Sequence, residues 1–257
     1  MRFRLTLELT NPRERILPLN YQYELSSWIY HALNSANPEF ATWLHDKGYT
    51  DDRKQFKLFT FSNLSIPQRR IQADRLEIRS RDISMIITML PDEMGSHFIT
   101  GLFQDQSFAL GDRLTQVPLK VVSVEGLVEP AFSGNMSFTA LSPLLISYKY
   151  PEDRYARYLS PDQPDYPALL FRNLKEKYRT FFKKEFPFNE REGKIEILTP
   201  PRKKGILIKA GTPSESKIIG YQYDFRITAP VELLRLGYCT GFGEKNSMGF
   251  GCGEVRD

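Results

Sequence analysis

Apolar and polar side chains alternate from residue 2 to 10, with Phe3, Leu5, Leu7 and Leu9 on one side, which predicts a half-buried strand. Leu25, Trp28, Ile29, Ala32 and Leu33 then recur at i, i+3, i+4, i+7 and i+8, the stripe of an amphipathic helix over 21–34. Asn37-Pro38-Glu39 supplies a cap, a first-turn proline and an acidic first turn for a short helix that stops at Gly48. Strand-like stretches follow at 56–64, 74–80 and 83–90. Pro91-Asp92-Glu93 opens a helix to about 104, and a valine-rich strand covers 115–126.

The second half repeats this plan. Strand 136–146 leads into a polar loop over 149–167 and a helix from about 167 to 186. Strands 194–199 and 204–210 follow, joined by Pro200-Pro201-Arg202-Lys203. Strand 217–228, a short helix 230–237 begun by Pro230, and strand 249–255 complete the chain. Each half therefore reads β-α-β-β-α-β, so the expected fold is α+β, with tandem ferredoxin-like domains at 1–126 and 135–257 and a linker near 126–135. Two such modules leave a cleft between two sheets, a shape suited to a strand of nucleic acid.

Composition narrows the classes. The 257 residues, 41% hydrophobic and 26% charged, describe a globular protein with a real core. No apolar run approaches a membrane span and the alternating start resembles no signal peptide, so a cytoplasmic protein is expected. The net charge of +4 comes entirely from the part beyond residue 125, because residues 1–125 balance 15 basic against 15 acidic side chains. That asymmetry points mildly to a polyanionic partner. Cys239 and Cys252 are expected as free thiols. They and the three histidines, His31, His45 and His97, form no metal-ligand spacing, so chemistry without a bound metal or other cofactor is expected.

Residues 241–251, Gly-Phe-Gly-Glu-Lys-Asn-Ser-Met-Gly-Phe-Gly, constrain function most. Gly241, Gly243, Gly249 and Gly251 allow sharp turns and close approach of a ligand to main-chain N–H groups, while Lys245, Asn246 and Ser247 offer donors to phosphate oxygens. The segment is neither a dinucleotide fingerprint nor a P-loop. The first needs a third glycine where Asn246 stands, and the second needs Gly-Lys-Ser/Thr entering a helix. A plain glycine-rich hairpin is the competing reading.

Other candidates are scattered along the chain. On the 21–34 helix, Tyr30 and His31 lie roughly 130° from the centre of the apolar stripe on opposite flanks, and either can face a cleft. His45 falls in the last turn of the short helix, where the partial negative charge of the helix end favours an imidazolium fit to move protons. Lys57 shares its alternation with Phe59 and Phe61, so it must emerge at a sheet edge or cleft. Lys47 and Lys54 compete with it. Arg172, Lys175, Arg179 and Lys183 form a basic stripe that reads first as a solvated face and second as a nucleic-acid contact. Arg202, Lys203 and Lys204 at an expected hairpin tip suit a nucleic-acid groove.

Taken in order, Asn20-Tyr21-Gln22-Tyr23, Ile29-Tyr30, Asn37-Pro38, Leu44-His45, Lys57-Leu58-Phe59-Thr60-Phe61-Ser62, Ser142-Pro143 and the closing glycine loop resemble the CRISPR-associated repeat-RNA endoribonucleases. These are the sixth Cas family, within the repeat-associated mysterious protein superfamily, and the resemblance spans essentially the whole chain. It implies metal-independent cleavage of CRISPR transcripts within each repeat. The RNA's 2′-hydroxyl attacks the adjacent phosphodiester, leaving a 2′,3′-cyclic phosphate and a 5′-hydroxyl. It implies Tyr30, His45 and Lys57 as the catalytic set, with Lys57 stabilising charge, His45 transferring a proton and Tyr30 positioning or sharing that proton. Beside it, the residue types of the 202–204 cations and the glycine loop make these the expected RNA contacts. The implied partner is CRISPR repeat RNA, with an effector complex possible and the protein a monomer or homodimer. A non-catalytic RNA-binding subunit of an effector complex has the same fold and loop, and an enzyme on a small phosphorylated metabolite is a third reading.

Overall fold

Leu5 and Leu7, wholly buried, put strand Arg2–Leu9 at the centre of a sheet rather than at its edge. A computed structural model, which describes residues 1–51, 54–210 and 212–256, gives the antiparallel order Phe59–Phe61, Ile83–Met89, Arg2–Leu9, Gln116–Gly126, Ser107–Gly111. Helices α1 (Gln22–Ala36), α2 (Pro38–Asp46) and α3 (Asp92–Gln104) contribute Leu25, Trp28, Ile29, Leu44, Phe98 and Leu102 to the buried cluster on this sheet.

The second half has its own buried cluster. Its four-stranded antiparallel sheet runs Lys194–Ile197, Asp224–Thr228, Asn135–Ala140, Gly253–Val255. Helices α4 (Tyr166–Phe182) and α5 (Val231–Thr240) pack there through Leu170, Phe171, Leu174, Leu233 and Leu234. In each half the strand met second in the chain is outermost, the third lies beside the first, and the last flanks the first on its other side; the first half adds Ser107–Gly111 at its far edge. The whole is a mixed α/β fold of antiparallel sheets with five α-helices among the described residues.

Several expected strands come out differently. The strand begun at 135 ends at Ala140, because Ser142 and Pro143 turn toward the glycine loop: the Ser142 hydroxyl accepts from the Cys252 amide at 3.0 Å and the Pro143 carbonyl from Gly251 at 2.8 Å. The single strand expected over 217–228 is two, Ser216–Gln222 and Asp224–Thr228, divided at Tyr223. The first pairs with Arg202–Ile208 as a two-stranded ribbon outside both sheets, bridged at Tyr221 to Leu144. Arg202, Lys203 and Lys204 accordingly lie at the base of this ribbon and not at a hairpin tip, which corrects the expectation. Pro200-Pro201 has no amide hydrogens to continue the ladder and carries the chain from the sheet into the ribbon, and the turn falls after Ile208.

The halves meet along a seam with one deeply buried cation. Arg2, 6% exposed, donates to the Gly253 carbonyl at 2.8 Å and lies over the Tyr238 ring, 4.1 Å from its centroid. Nearby, Thr60 Oγ1 donates to the Phe250 carbonyl at 2.8 Å and the Asn63 amide to Leu141 at 3.0 Å. These bonds set the edge strand Phe59–Phe61 directly against the glycine loop. Among the described residues no helix is long and apolar enough to cross a membrane.

Candidate active site

Tyr30 lies off the apolar stripe of α1 yet is half-buried, because two rings cover it. Its centroid is 5.6 Å from Phe59 and 5.4 Å from His45, both edge-on. Asn37 caps α2 by accepting from the Phe40 amide at 3.0 Å, and this fixed start folds α2 back along α1 so that its last turn delivers His45 to Tyr30. His45 is exposed, with Nδ1 2.9 Å from Asp46 Oδ1.

Lys57 does not continue the alternation of Phe59 and Phe61. Leu58 takes a left-handed conformation (φ 53°), which breaks the chain between strands Lys54–Phe56 and Phe59–Phe61 and swings Lys57 toward α2. Its Nζ donates to the carbonyls of Leu44 and His45 at 2.5 and 2.6 Å. Those are final-turn carbonyls that lack intrahelical partners, so the ammonium caps the helix carrying His45. Half-burial lowers the Lys57 pKa, against the opposing pull of Asp46. Of the competing lysines, Lys54 turns away to Glu176 at 2.5 Å, and Lys47 is exposed. Burial pushes Tyr30 up to about 12, a rise moderated by its hydrogen bond with the Ser247 side chain, so near neutral pH it is a neutral phenol.

That hydrogen bond brings the glycine loop into the same place. Phe242 and Phe250 are wholly buried anchors on either side of the polar insert. Gly251 is required where it stands: φ is +77°, and a Cβ there would lie 2.1 Å from the Phe242 carbonyl oxygen. The main-chain amides, however, mostly point inward. Those of Gly241, Gly249 and Gly251 donate to Gly237, Asn246 and Pro143 at 2.8, 2.9 and 2.8 Å, and the Gly243 carbonyl accepts from Lys177, so the expected phosphate cradle of loop amides is not formed at the first three. Asn246 is corrected as well. Its Oδ1 accepts from Lys177 at 2.7 Å and its Nδ2 donates to the Phe250 carbonyl at 2.9 Å, so this buried amide holds the loop together rather than reaching outward. Lys245 is exposed, and Ser247 is fixed beside Tyr30 by Ser26, whose hydroxyl donates to its carbonyl at 2.6 Å.

Lys177 was missed by sequence reasoning. It is 1% exposed and donates to Gly241 O, Gly243 O and Asn246 Oδ1 at 2.6, 2.9 and 2.7 Å, and burial lowers its pKa to about 7. The signal was present: Lys177 follows Leu170 and Leu174 at i+7 and i+3, a charge on the apolar face of α4. The basic stripe of α4 is largely engaged by the chain itself. Lys175 meets Glu190 and the Phe188 carbonyl, Arg179 meets Asp51 and Glu185, and Lys183 donates to the Thr50 carbonyl.

Tyr30, His45, Lys57 and Ser247 thus adjoin, and Lys57 and Ser247 border a cleft of about 560 Å³ between the halves. Arg202 and Lys204 line a different and larger groove, about 1100 Å³, shared with Arg4 and Arg69; Lys203 is exposed beside them. His31 is exposed on α1, and the His97 ring tilts against Phe40 at 5.0 Å. Among the described residues no group of three His, Cys, Asp or Glu side chains is arranged to hold a metal ion, and both cysteines are free.

Residues 16–118 match the family described as CRISPR-associated protein Cas6, N-terminal, and residues 127–255 match CRISPR associated protein Cas6, C-terminal. The chain is 30% identical over 257 positions to CRISPR-associated endoribonuclease Cas6 1 of Methanocaldococcus jannaschii, covering 96% of this chain and 91% of that one. It is 30% identical over 244 positions to CRISPR-associated endoribonuclease Cas6 of Pyrococcus furiosus, covering 93% and 84%. In fold it is similar to the solved structure of a Cas6-related gene product from Pyrococcus furiosus, with a TM-score of 0.85 at 24% identity, over 100% of this chain and 98% of that one. The chain belongs to the Cas6 family of CRISPR-associated proteins.

Proposed function

We propose that this chain is a metal-independent endoribonuclease that cuts CRISPR precursor transcripts within the repeat, in the cytoplasm, by attack of the RNA's own 2′-hydroxyl. Endoribonuclease activity follows from family membership and from two relatives of that name at 30% identity. The observation that carries the mechanism is that the Tyr30 phenol meets the His45 imidazole edge-on while the Lys57 ammonium caps the helix end bearing His45 and lines the cleft.

In-line attack of the 2′-oxygen needs a proton taken from that hydroxyl, a proton given to the departing 5′-oxygen, and a cation beside the crowded phosphorane. Lys57 supplies the cation. His45, exposed at the helix end, moves a proton, as the acid toward the 5′-oxygen, and the 2′-hydroxyl proton passes to solvent water as the 2′-oxygen attacks. Tyr30, neutral near pH 7 and hydrogen-bonded with Ser247, positions the phosphate as a donor. The products are a 2′,3′-cyclic phosphate and a 5′-hydroxyl. Lys245 and Ser247 contact the RNA from the loop, and Arg202 and Lys204, with Arg4 and Arg69, form a track for its backbone. The two halves, 1–126 and 135–257, are read as tandem ferredoxin-like domains, a reading supported by their common strand order and separate buried clusters.

Repeat RNA incubated with the protein in EDTA is expected to be cut with multiple turnover, and a single 2′-deoxy at the scissile nucleotide to stop it. Cutting of the deoxy substrate would rule out the mechanism, and binding without turnover would make the chain an RNA-binding subunit. His45→Ala is expected to slow single-turnover cleavage by roughly 10²–10⁴ with affinity retained. Weaker binding with an unchanged rate for bound RNA would remove His45 from the chemistry.

A further inference from the structure

An ammonium as deeply buried as that of Lys177, 1% exposed behind the cleft wall, is costly to desolvate and has no part in the chemistry above. Its three bonds all go to the glycine loop and hold both sides of the polar insert. Gly241 O and Gly243 O accept at 2.6 and 2.9 Å on one side, and Asn246 Oδ1 at 2.7 Å on the other. The second amide atom of Asn246 is fixed as well, by donation to the Phe250 carbonyl at 2.9 Å. The fit is close, because a Cβ on Gly241 would fall 2.4 Å from Asn246 Nδ2. Ser247 follows Asn246 in a single tight turn, closed by the Met248 and Gly249 amides, which donate to the Lys245 and Asn246 carbonyls at 3.0 and 2.9 Å. The Ser247 side chain is the group hydrogen-bonded with the Tyr30 phenol. A continuous path thus runs from Lys177 through Asn246 and Ser247 to Tyr30.

We propose that Lys177 is a positioning residue for cleavage: its ammonium seats the glycine loop so that Ser247 holds the Tyr30 phenol where it donates to the scissile phosphate, and it acts on the reaction through that pair. The inference rests on the endoribonuclease reading above. Burial keeps Lys177 itself from touching RNA in the cleft. An ammonium has three hydrogens for the three acceptors, whereas a neutral amine has two. Burial brings the pKa down to about 7, opposed by Glu244, whose carboxylate accepts from the Ser147 amide and hydroxyl at 3.2 and 2.7 Å. The other titratable groups bordering the same cleft are Lys54, Lys57, Tyr148, Lys149 and Lys245. As pH rises through about 7, the folded chain therefore gives up one of the three bonds, and the loop loses its fixed seat.

The test is single-turnover cleavage of bound repeat RNA by the full chain, with affinity measured alongside. Lys177→Met is expected to slow the bound RNA by roughly 10- to 100-fold, the scale of a small misplacement, and to leave affinity nearly unchanged. In a Ser247→Ala background the same substitution should cost less than about twofold more, because the pair it acts through is already broken. A second measurement needs no Lys177 variant. The ratio of wild-type to Ser247→Ala rates, in which the titrations of His45 and of the RNA cancel, should fall several-fold from pH 6 to 9 as amine replaces ammonium. That ratio decides alone where Lys177→Met does not fold. Equal losses from Lys177→Met in both backgrounds, an unchanged rate with only a lower melting temperature, or a ratio constant with pH would overturn the positioning role. An absence of any cutting by the wild-type chain would instead overturn the endoribonuclease reading.

Discussion

Lys57 and Lys177 show how the same side chain is put to two uses by its surroundings. Each donates to backbone carbonyls, but Lys57 keeps one side toward the cleft while Lys177 is enclosed. Only an ammonium has three donors to meet the three acceptors around Lys177, yet burial disfavours that charge and lowers its pKa from the ordinary 10.5 to about 7. Between these two values the folded chain holds fewer protons here than the unfolded chain. Folding stability from this group therefore rises with pH across that window and is lost as pH falls through about 7. In denaturant titrations from pH 6 to 9, the stability of wild type is expected to rise relative to Lys177→Met. A constant difference between the two would mean that Lys177 keeps the same charge in both states. The phenol of Tyr30, by contrast, is raised to about 12 and stays protonated throughout this range.

At the level of elements, α4 is the strut on which both sides of the site rest. Lys177 ties it to the glycine loop, while Glu176 and Arg179 hold the strands Tyr49–Asp51 and Lys54–Phe56 through Lys54 and Asp51. The long elements were legible in the sequence because their apolar periodicity runs for many residues: α1, α3 and the strand Gln116–Gly126 fall within two residues of expectation. The catalytic candidates were legible because Tyr30, His45 and Lys57 sit in strings shared with a family. What could not be read were local backbone choices without periodicity, such as the left-handed Leu58 that turns Lys57 toward α2, and partner choice, such as the Asn246 amide turned inward to Lys177. The approach of α1 and α3 is another such feature. Gly101 of α3 lies so near α1 that a Cβ would fall 1.8 Å from the Ala32 carbonyl oxygen, a backbone atom that cannot rotate away. Gly101→Ala is expected to destabilise the fold by about 3 kcal/mol, the upper end for overpacking, because the helices must part. A urea midpoint unchanged from wild type would mean the two helices separate freely.

Over the whole molecule, two halves with the same strand order divide the labour unequally. The first supplies Tyr30, His45 and Lys57. The second supplies the loop, the strut and all of the net positive charge. Much of that charge serves the fold: Arg179, Arg226, Arg235 and Arg256 are each ion-paired with a carboxylate. Arg202 and Lys204 differ, being exposed at the base of the ribbon, where their groove is shared with Arg4 and Arg69 of the first half. If this groove carries RNA phosphates, each cation that displaces a condensed counterion adds to the salt dependence of binding, by about 0.7 in the slope of log K against log salt for a single strand. Replacing both Arg202 and Lys204 by glutamine should then lower that slope by about 1.4 and weaken binding of different repeat sequences alike, because phosphates carry no sequence. The cleavage rate of RNA already bound should be unchanged, since neither cation lines the cleft at Lys57. Affinities measured from 50 to 200 mM salt decide the matter. An unaltered slope would move the RNA track out of this groove, and a slower bound-state rate would mean that the groove and the cutting centre act as one site.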